Sequence, residues 1–253
     1  MRFLKQFFFG IVWVLILALI VYVMYALFLR PAPSCTDNIK NGEEEAIDCG
    51  PVCGKQCLPA ELKISVRGNI RIIPVATSSD RVSILVQLQN AQSDYAAKNF
   101  SYNLKLAGEN GFALDIPGSS FMYAGELKYL TFPNLTVSEP ATSLSASFEV
   151  GDVSWVKDET FKKPTIFLQN QITSVYSDRI EVVGKFTNGD AATLERASIV
   201  AVLLDSRGNI IGVSGTRTEN VASGETRAFT ITHPFVPGIN VSATQVFVYP
   251  YKP

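Results

Sequence analysis

Four cysteines fall within 23 residues of the chain, at Cys35, Cys49, Cys53 and Cys57. Thiols at this density serve either as disulfides in an oxidising compartment or as thiolate ligands of a structural zinc ion. Zinc sites usually present two closely spaced cysteine pairs, whereas Cys35 stands 14 residues before its nearest partner and its neighbours are acidic. The spacing therefore favours two disulfides. Four cysteines allow three pairings, and the sequence does not choose among them.

The segment between the first two cysteines is rich in oxygen ligands. Asp37, Asn41, Glu43 and Asp48 surround a glycine turn at Gly42, and calcium prefers carboxylate and amide oxygens. The spacing is not that of an EF-hand loop, and a solvated acidic loop is the favoured interpretation. We therefore expect no cofactor, with calcium as the alternative.

Residues that could carry catalysis are few. His233 is the only histidine, so a Ser-His-Asp triad would depend on it alone, and a loop role is favoured. The sequence holds no G-x-S-x-G elbow, phosphate-binding loop, dinucleotide fingerprint or H-E-x-x-H motif. Asp80-Arg81 and Asp178-Arg179 recur at predicted strand starts, which favours structural turns over ligand contacts. Because the net charge is −1, nothing favours nucleic acid. We predict that the protein is not an enzyme and has no small-molecule substrate.

Three N-x-[ST] triplets begin at Asn99, Asn134 and Asn240. They would accept a glycan only in an organism that glycosylates asparagine. We retain them as candidate glycosylation sites, although a chain rich in Ser and Thr contains such triplets by chance.

Polar residues recur around the cysteines in a defined pattern. It comprises Cys35, Asp37, Ile39, Asn41, Gly42, Glu44, Asp48, Cys49, Gly50, Cys53 and Cys57. This pattern resembles a short motif of bacterial secreted and surface proteins, C-x-D-G-I-x-N-G-x-E-x-x-x-D-C-G-G-x-C-x-x-C. Asn38 and Pro51 replace two of its glycines, and the last spacing is one residue longer. The resemblance implies an oxidising, extracytoplasmic location.

The element that must position this segment is an uncharged run of 23 residues, Phe7–Leu29, bounded by Lys5 and Arg30. As a helix it would be about 34 Å long, enough to cross a hydrocarbon core of about 30 Å. A buried core helix would carry a polar face, and a cleaved signal peptide would have a shorter apolar region. Lipoprotein cleavage at Cys35 is disfavoured by Ala32. The run therefore predicts an uncleaved transmembrane helix.

The charges flanking this run indicate its direction. Arg2, Lys5 and the terminal amine precede it, whereas Arg30 and Lys40 follow it, which favours a cytoplasmic N-terminus. Disulfides after the helix would require the same orientation. We predict a single-pass protein of the cell membrane whose C-terminal domains are extracytoplasmic.

The rest of the chain contains an internal repeat. Three segments recur in the same order at nearly constant offsets of 97 to 99 residues, which indicates two copies of one domain. The matches are Asp80–Asn90 with Asp178–Asn188, Gly125–Leu130 with Gly224–Phe229, and Ser145-Ala146 with Ser242-Ala243.

Each copy is predicted to contain seven short strands, with period-2 alternation and intervening turns. Seven strands in about 95 residues are typical of an immunoglobulin-like sandwich. In the second copy, residues 165–171 and 172–176 are predicted as separate strands. The strand at 197–204 is apolar on both faces, so we expect it to be central or covered by a neighbouring domain. The predicted fold class is all-β, with two tandem immunoglobulin-like sandwiches after one transmembrane helix.

The second copy carries a further pattern in three of its segments. These are Gly184-Lys-Phe186-Thr-Asn188, Asp205-Ser-Arg-Gly208 and Gly224-Glu225. They resemble the FxLYD-type family of small β-sandwich domains from prokaryotic envelope proteins, although the family's tyrosine is replaced by Leu204. The first copy is more degenerate. The resemblance implies a fold and a surface location, and no chemistry.

These observations predict a protein that displays two binding domains to an envelope or surface protein while anchored in the lipid bilayer. The alternative is a structural subunit of an envelope, secretion or pilus-type assembly, whose helix would pack through Gly10, Ala18 and Ala26. The predicted organisation is a cytoplasmic tail at 1–6, a transmembrane helix at 7–29, a disulfide clasp at 30–59, a first sandwich at 60–156, a linker at 157–164 and a second sandwich at 165–253.

Overall fold

The computed structural model describes residues 2–25 and 34–252. One long helix, α1 (Arg2–Met24), occupies the N-terminal part. Leucine, isoleucine, valine and phenylalanine follow one another without a polar face, so the helix has no amphipathic side to bury against a protein core. Residues 26–29 of the predicted span, which include Ala26, lie outside the described residues, and so does Arg30.

Helix α1 is long and apolar enough to cross a membrane. The apolar stretch Gln6–Met24 has 19 residues, and none of it is buried inside the protein. A helix of this length spans about 28 Å, close to the thickness of the hydrocarbon core. By length and composition it fits a membrane anchor, and an N-terminal signal sequence has similar properties.

The chain divides into two compact units, one ending at Ala60 and one beginning at Glu61. Beyond the helix, the first unit holds the cysteine segment, which has one short 3-10 turn at Pro51–Cys53. The second unit consists of antiparallel strands. They are β1 (Ile64–Val66), β2 (Arg71–Pro74), β3 (Arg81–Asn90), β4 (Tyr95–Gly108), β5 (Ala113–Met122), β6 (Leu127–Thr136), β7 (Leu144–Lys157), β8 (Ile166–Val175), β9 (Arg179–Asn188), β10 (Leu194–Leu204), β11 (Ile210–Val221), β12 (Thr226–Pro234) and β13 (Gln245–Tyr251).

Strands β1 to β7 form two sheets, which we call the first sheet pair. In one sheet β3 pairs with β1 and β2 along one edge and with β6 along the other, and the second sheet has the order β5-β4-β7. Alternate residues of β3, including Val82, Ile84 and Val86, face a core shared with Phe100 and Leu104 of β4. Burial of these apolar side chains is the main stabilising contribution of the pair.

Strands β8 to β13 form the second sheet pair, with orders β12-β9-β8 and β11-β10-β13. Strand β12 shows why the sequence adopts this form: Phe229, Ile231 and His233 are buried while the residues between them are exposed. This period-2 pattern directs one face of the strand to the core and the other to solvent. The core of this pair is separate from that of the first and includes Ile199 of β10.

A third buried cluster, which we call the junction, joins the two sheet pairs. It comprises Ile73, Leu85, Ala96, Phe121, Tyr123, Phe161, Val200, Val202, Val213 and Tyr249. Val200 and Val202 of β10 face the junction, whereas Ile199 and Ala201 face the core of the second pair. Strand β10 is also central in its sheet, between β11 and β13, as predicted. Strand β3 is buried on both faces in the same way, through Leu85 on one side and Ile84 on the other.

Two of the predicted strands merge. Residues 165–171 and 172–176 were assigned to separate strands, but Ile166–Val175 forms the single strand β8. An irregularity between Gln169 and Ile172 breaks the pairing register with β9, and Asn170 has a positive φ of 51°. In the sequence, a bulge interrupts the alternation of apolar and polar residues in the same way as the end of a strand, so the two cannot be distinguished from the pattern alone. The predicted linker 157–164 begins inside β7, and its Phe161 is buried in the junction.

Candidate functional site

The four cysteines form two disulfides, as predicted, and the structure selects one pairing. Cys35 is bonded to Cys53, and Cys49 to Cys57, so the two loops of 18 and 8 residues overlap along the chain. Because Cys49 lies inside the first loop and Cys53 inside the second, each bond restrains the segment closed by the other. We keep the name clasp for residues 34–59, the part of the predicted clasp that the structure describes. Cross-links of this kind reduce the freedom of the unfolded chain, which matters most in a segment with little apolar core.

The interior of the clasp is organised by Glu44 and Asp48. Glu44 is only 8% exposed, and its Oε2 accepts hydrogen bonds from the amides of Asn41 at 3.3 Å and Asp48 at 3.2 Å. The carboxylate of Asp48 accepts from the amides of Asp37 at 3.1 Å and Asn38 at 2.9 Å. The carboxylates of Glu44 and Asp48 thus supply the hydrogen-bond acceptors that these backbone amides would find in a helix or a strand.

The proposed calcium ligands are brought together only in part. Asp37 accepts a 2.7 Å hydrogen bond from the Asn41 side-chain amide, and this contact is the largest of those that lower the pKa of Asp37. The Asp48 carboxylate contacts the Asp37 amide, but Glu43 is exposed and makes no side-chain hydrogen bond within the described part of the clasp. Glu44, which was not among the predicted ligands, occupies the interior position. Calcium binding stays a prediction.

His233 is buried in the second sheet pair, at the end of β12, rather than in a loop. It is 6% exposed, and its Nδ1 lies 2.6 Å from the carbonyl oxygen of Pro234, which requires the proton on Nδ1. Burial lowers the pKa of the imidazole, partly offset by this hydrogen bond. A neutral imidazole with its donor committed to the backbone is a structural side chain in this state.

The two Asp-Arg pairs hold equivalent backbone positions. The carbonyl of Asp80 accepts a hydrogen bond from the amide of Val137 at 2.8 Å, and that of Asp178 accepts from Phe235 at 3.1 Å. Both contacts tie the start of a strand to the end of its neighbour. The geometry agrees with the structural turn role favoured by the sequence.

The repeated Asn and Gly-Glu positions form two similar corners. The side-chain amide of Asn90 donates to the carbonyls of Tyr95 and Tyr123, and Asn188 donates to those of Ala192, Val221 and Ala222. The backbone amides of the two asparagines donate to the carbonyls of Glu126 and Glu225, at 2.9 and 3.0 Å. Both asparagines are fully buried, so the repeated residues close turns that no water can reach.

Strand β8 carries the exposed apolar residues of the second unit. It pairs with β9 along one edge only. Between residues 61 and 252, the five exposed large apolar side chains lie on β8, just after it or on the nearby 3-10 turn Val241–Ala243. We call this set the β8 surface: Phe167 54%, Ile172 59%, Val175 42%, Tyr176 43% and Val241 41% exposed. Their concentration at one unpaired edge makes the β8 surface the candidate site for an interaction.

No protein-family model matches the sequence, and no curated protein is significantly similar to it. The resemblances to the FxLYD-type domains and to the cysteine motif therefore stay predictions. The site must be interpreted from its own geometry.

The candidate glycosylation sites differ in accessibility. Asn99 and Asn134 are exposed, whereas Asn240 is half-buried. Asn134 also has a positive φ of 60°, in the left-handed region that asparagine tolerates. Two of the three triplets could therefore accept a glycan without rearrangement.

Sequence reasoning missed four acidic or basic residues that the fold buries. Glu44 lies inside the clasp, Glu139 lies after β6 and is 6% exposed, and Glu126 and Lys128 lie beside the junction and are each 3% exposed. Glu44 had a signal, because it occupies a position of the cysteine motif. Lys128 had none, since a lysine on an alternating strand normally faces solvent.

Proposed function

We propose that this chain is a membrane-anchored extracytoplasmic binding protein without catalytic activity, which presents two immunoglobulin-like sandwiches to a protein of the cell envelope or surface. The β8 surface is the observation that carries this proposal. It combines unpaired backbone groups with a concentration of exposed apolar side chains on one strand. Such an edge binds an extended segment of a partner by adding a strand to the sheet.

The anchor and its orientation are supported by the helix and the clasp together. Helix α1 is apolar on all sides and exposed, so a bilayer is the environment that satisfies it. Disulfides form and persist in oxidising compartments, which supports an extracytoplasmic side for the clasp and for the strands that follow it in the chain. Arg2 and Lys5 before the span are consistent with a cytoplasmic N-terminus.

The tandem of related sandwiches is supported by the pairing of the strands. In the first sheet pair β3 is central in one sheet and the next strand, β4, is central in the other. In the second sheet pair β9 and β10 occupy the same two positions. The corners at Asn90 and Asn188 use the same contacts. A common ancestral domain accounts for both similarities, with β1 and β2 of the first copy corresponding to β8 of the second.

The mechanism is therefore display. The clasp follows the membrane helix in the chain and is cross-linked by two disulfides, so it supplies an ordered spacer that resists the oxidising, protease-containing environment outside the cell. The sheet pairs are held to each other by the junction, so the β8 surface belongs to a body without an internal hinge. A preorganised edge loses less conformational entropy when a partner strand binds.

The test is site-specific photo-crosslinking of the full-length protein in its native membranes. A photoreactive amino acid at Gln171, exposed on β8, should capture a protein partner. The same amino acid at Asp115, exposed on β5 of the first sheet pair, is the matched control and should not. Ile172→Lys should abolish capture at Gln171, because a charged edge residue opposes strand addition.

Equal capture at both positions, or capture that survives Ile172→Lys, would contradict the proposed surface. Capture abolished by Ala18→Leu in the helix but not by Ile172→Lys would favour the alternative of an assembly subunit held through helix packing. Turnover of a substrate by the purified protein, abolished by a point substitution, would contradict the absence of catalysis.

A further inference from the structure

A cleft opens between the two sheet pairs, at the edge of the junction. It encloses about 210 Å³ and has a polar, cationic lining that includes Lys128 of β6, Arg196 of β10 and Arg217 of β11. Ser119 and Ser198 are also among its lining residues. Three cations and several hydroxyls in one cavity, without a carboxylate among the lining residues, are complementary to a negatively charged group.

Lys128 is the most unusual of these residues. It is 3% exposed, and its Nζ donates one hydrogen bond to the carbonyl of Phe121 at 2.7 Å. The same ammonium lies 3.3 Å from the centre of the Phe121 ring. Among the described residues the Phe121 carbonyl is the one hydrogen-bond acceptor of this Nζ, and no carboxylate pairs with it, whereas an ammonium has three N–H donors.

Arg196 is the second cation without an acidic partner among the residues that the structure describes. Its guanidinium carbon lies 4.5 Å from the centre of the Tyr251 ring and 5.7 Å from that of Phe121. Stacking of this kind orients the planar guanidinium and leaves its edge donors free. Arg217 differs, since it pairs with Glu219 at 2.7 Å, and it stands opposite Ser198 in the β10–β11 register.

We propose that this cleft binds a small organic or inorganic oxyanion, with Lys128 and Arg196 as the charged contacts and the Ser119 and Ser198 hydroxyls as neutral donors. Because Lys128 is buried, a charge-assisted hydrogen bond to it is stronger than one at an exposed surface lysine would be. Carboxylates and phosphates share this recognition chemistry. The site lies away from the β8 surface and does not depend on the proposed partner.

Binding should be coupled to a proton. Burial is the main cause that lowers the pKa of Lys128, to about 7. The negative charge of Glu126 partly opposes this shift, whereas the positive charges of Arg196 and Lys163 add to it. Glu126 is itself held by Lys163 at 2.9 Å. At pH 8 a fraction of the lysine is neutral, and an anion in the cleft would favour its protonation. Proton uptake therefore distinguishes this site from anion binding at exposed surface lysines.

The experiment is titration calorimetry on the full-length protein in detergent, at pH 8, with inorganic phosphate and with citrate as separate probes. Each probe is measured in two buffers of different ionisation enthalpy. We expect at least one anion to bind with proton uptake, and the one that binds identifies a phosphate or a carboxylate as the preferred group. Lys128→Met and Arg196→Gln should each weaken binding about tenfold or more.

Lys105→Met is the matched control, because Lys105 is exposed and paired with Glu149 at 2.7 Å outside the cleft. It should bind as the unmodified protein does. Absence of binding by both probes, or equal weakening by Lys105→Met, would overturn the proposal. Thermal melting verifies that each variant is folded, and Arg196→Gln keeps the test decisive if Lys128→Met does not fold.

Discussion

Tyr123 and Pro250 are joined across the junction, because the buried Tyr123 hydroxyl donates a 2.9 Å hydrogen bond to the Pro250 carbonyl, 127 residues further along the chain. A second bond crosses in the same region, from the amide of Tyr129 to the hydroxyl of Tyr249 at 2.9 Å. The Tyr123 ring also stacks on Phe161, with centroids 4.8 Å apart. The two sheet pairs are thus connected by directed contacts as well as by apolar burial.

Tyr123→Phe should destabilise the protein by about 1 to 3 kcal/mol, since the carbonyl of Pro250 would be left buried without a donor. Urea unfolding of the full-length protein, followed by circular dichroism, measures the loss. Tyr102→Phe is the control, because the Tyr102 hydroxyl makes no hydrogen bond within the described residues. An equal loss in both variants would show that the bond to Pro250 is not the cause.

Asn90→Ala and Asn188→Ala should each cost about 2 to 4 kcal/mol, because each removes a buried donor shared by two or three carbonyls. Similar losses at the two positions would support descent from one domain. Asn69→Ala, at an exposed position, should change the free energy of unfolding by less than about 0.5 kcal/mol. A large loss of unfolding free energy at only one of the two asparagines would argue against equivalent roles for Asn90 and Asn188.

Glu44→Ala should make the disulfides of the clasp easier to reduce. The substitution removes the acceptor of the Asn41 and Asp48 amides, so the clasp should open more often and expose its sulfurs. We expect reduction by dithiothreitol, followed by mass spectrometry, to proceed several times faster than in the unmodified protein. Glu43→Ala provides the comparison, since Glu43 is exposed. Identical rates in the two variants would contradict the role given to Glu44.

His233 should make the second sheet pair sensitive to acid. Burial lowers the pKa of His233 in the folded protein, whereas the unfolded value is about 6.5. Below pH 6.5 the unfolded state takes up a proton that the folded state resists, so the free energy of unfolding falls as the pH falls. Denaturant unfolding between pH 7.5 and 5 should show this decline, and His233→Gln should reduce it. A decline unchanged by the substitution would assign the acid sensitivity to other groups.

Lys128 should produce a pH dependence of the same sign as His233, at higher pH. Its folded pKa is about 7, and the unfolded value is about 10.4. Between these values the unfolded state holds more protons, so the free energy of unfolding rises with pH, and the full penalty applies below pH 7. In a buffer without phosphate or citrate, Lys128→Met should remove this rise and stabilise the protein at pH 7. Lys105→Met should retain it.

The strands could be predicted because alternation and turn residues are local signals. Strand β10 was recognised as covered on both faces, since apolar residues occupy Ile199 and Val200 alike. The same signal in β3 went unnoticed, because Leu85 alone interrupts an otherwise regular pattern with Ser83 and Gln87. The bulge in β8 accounts for the prediction of two adjacent strands at 165–171 and 172–176, since a bulge interrupts alternation as the end of a strand does.

The candidate sites were less accessible to sequence reasoning. The disulfide partners depend on how a short segment folds around Glu44, which spacing does not determine. Lys128 and Arg196 are 68 residues apart in the chain and meet only because two particular sheet faces pack together. Periodicity identifies which face of a strand is apolar, but it carries no information on which other face will cover it.

The junction has a consequence for how the body would respond to a protease. The segment between β7 and β8 connects the two sheet pairs, yet its Phe161 is buried with Tyr123 and Phe121. A cut at that segment would leave two fragments still associated through the faces of β3 and β10. Neither sheet pair could be deleted or exchanged by itself without exposing an apolar sheet face, so a shortened or recombined form of the protein must keep both.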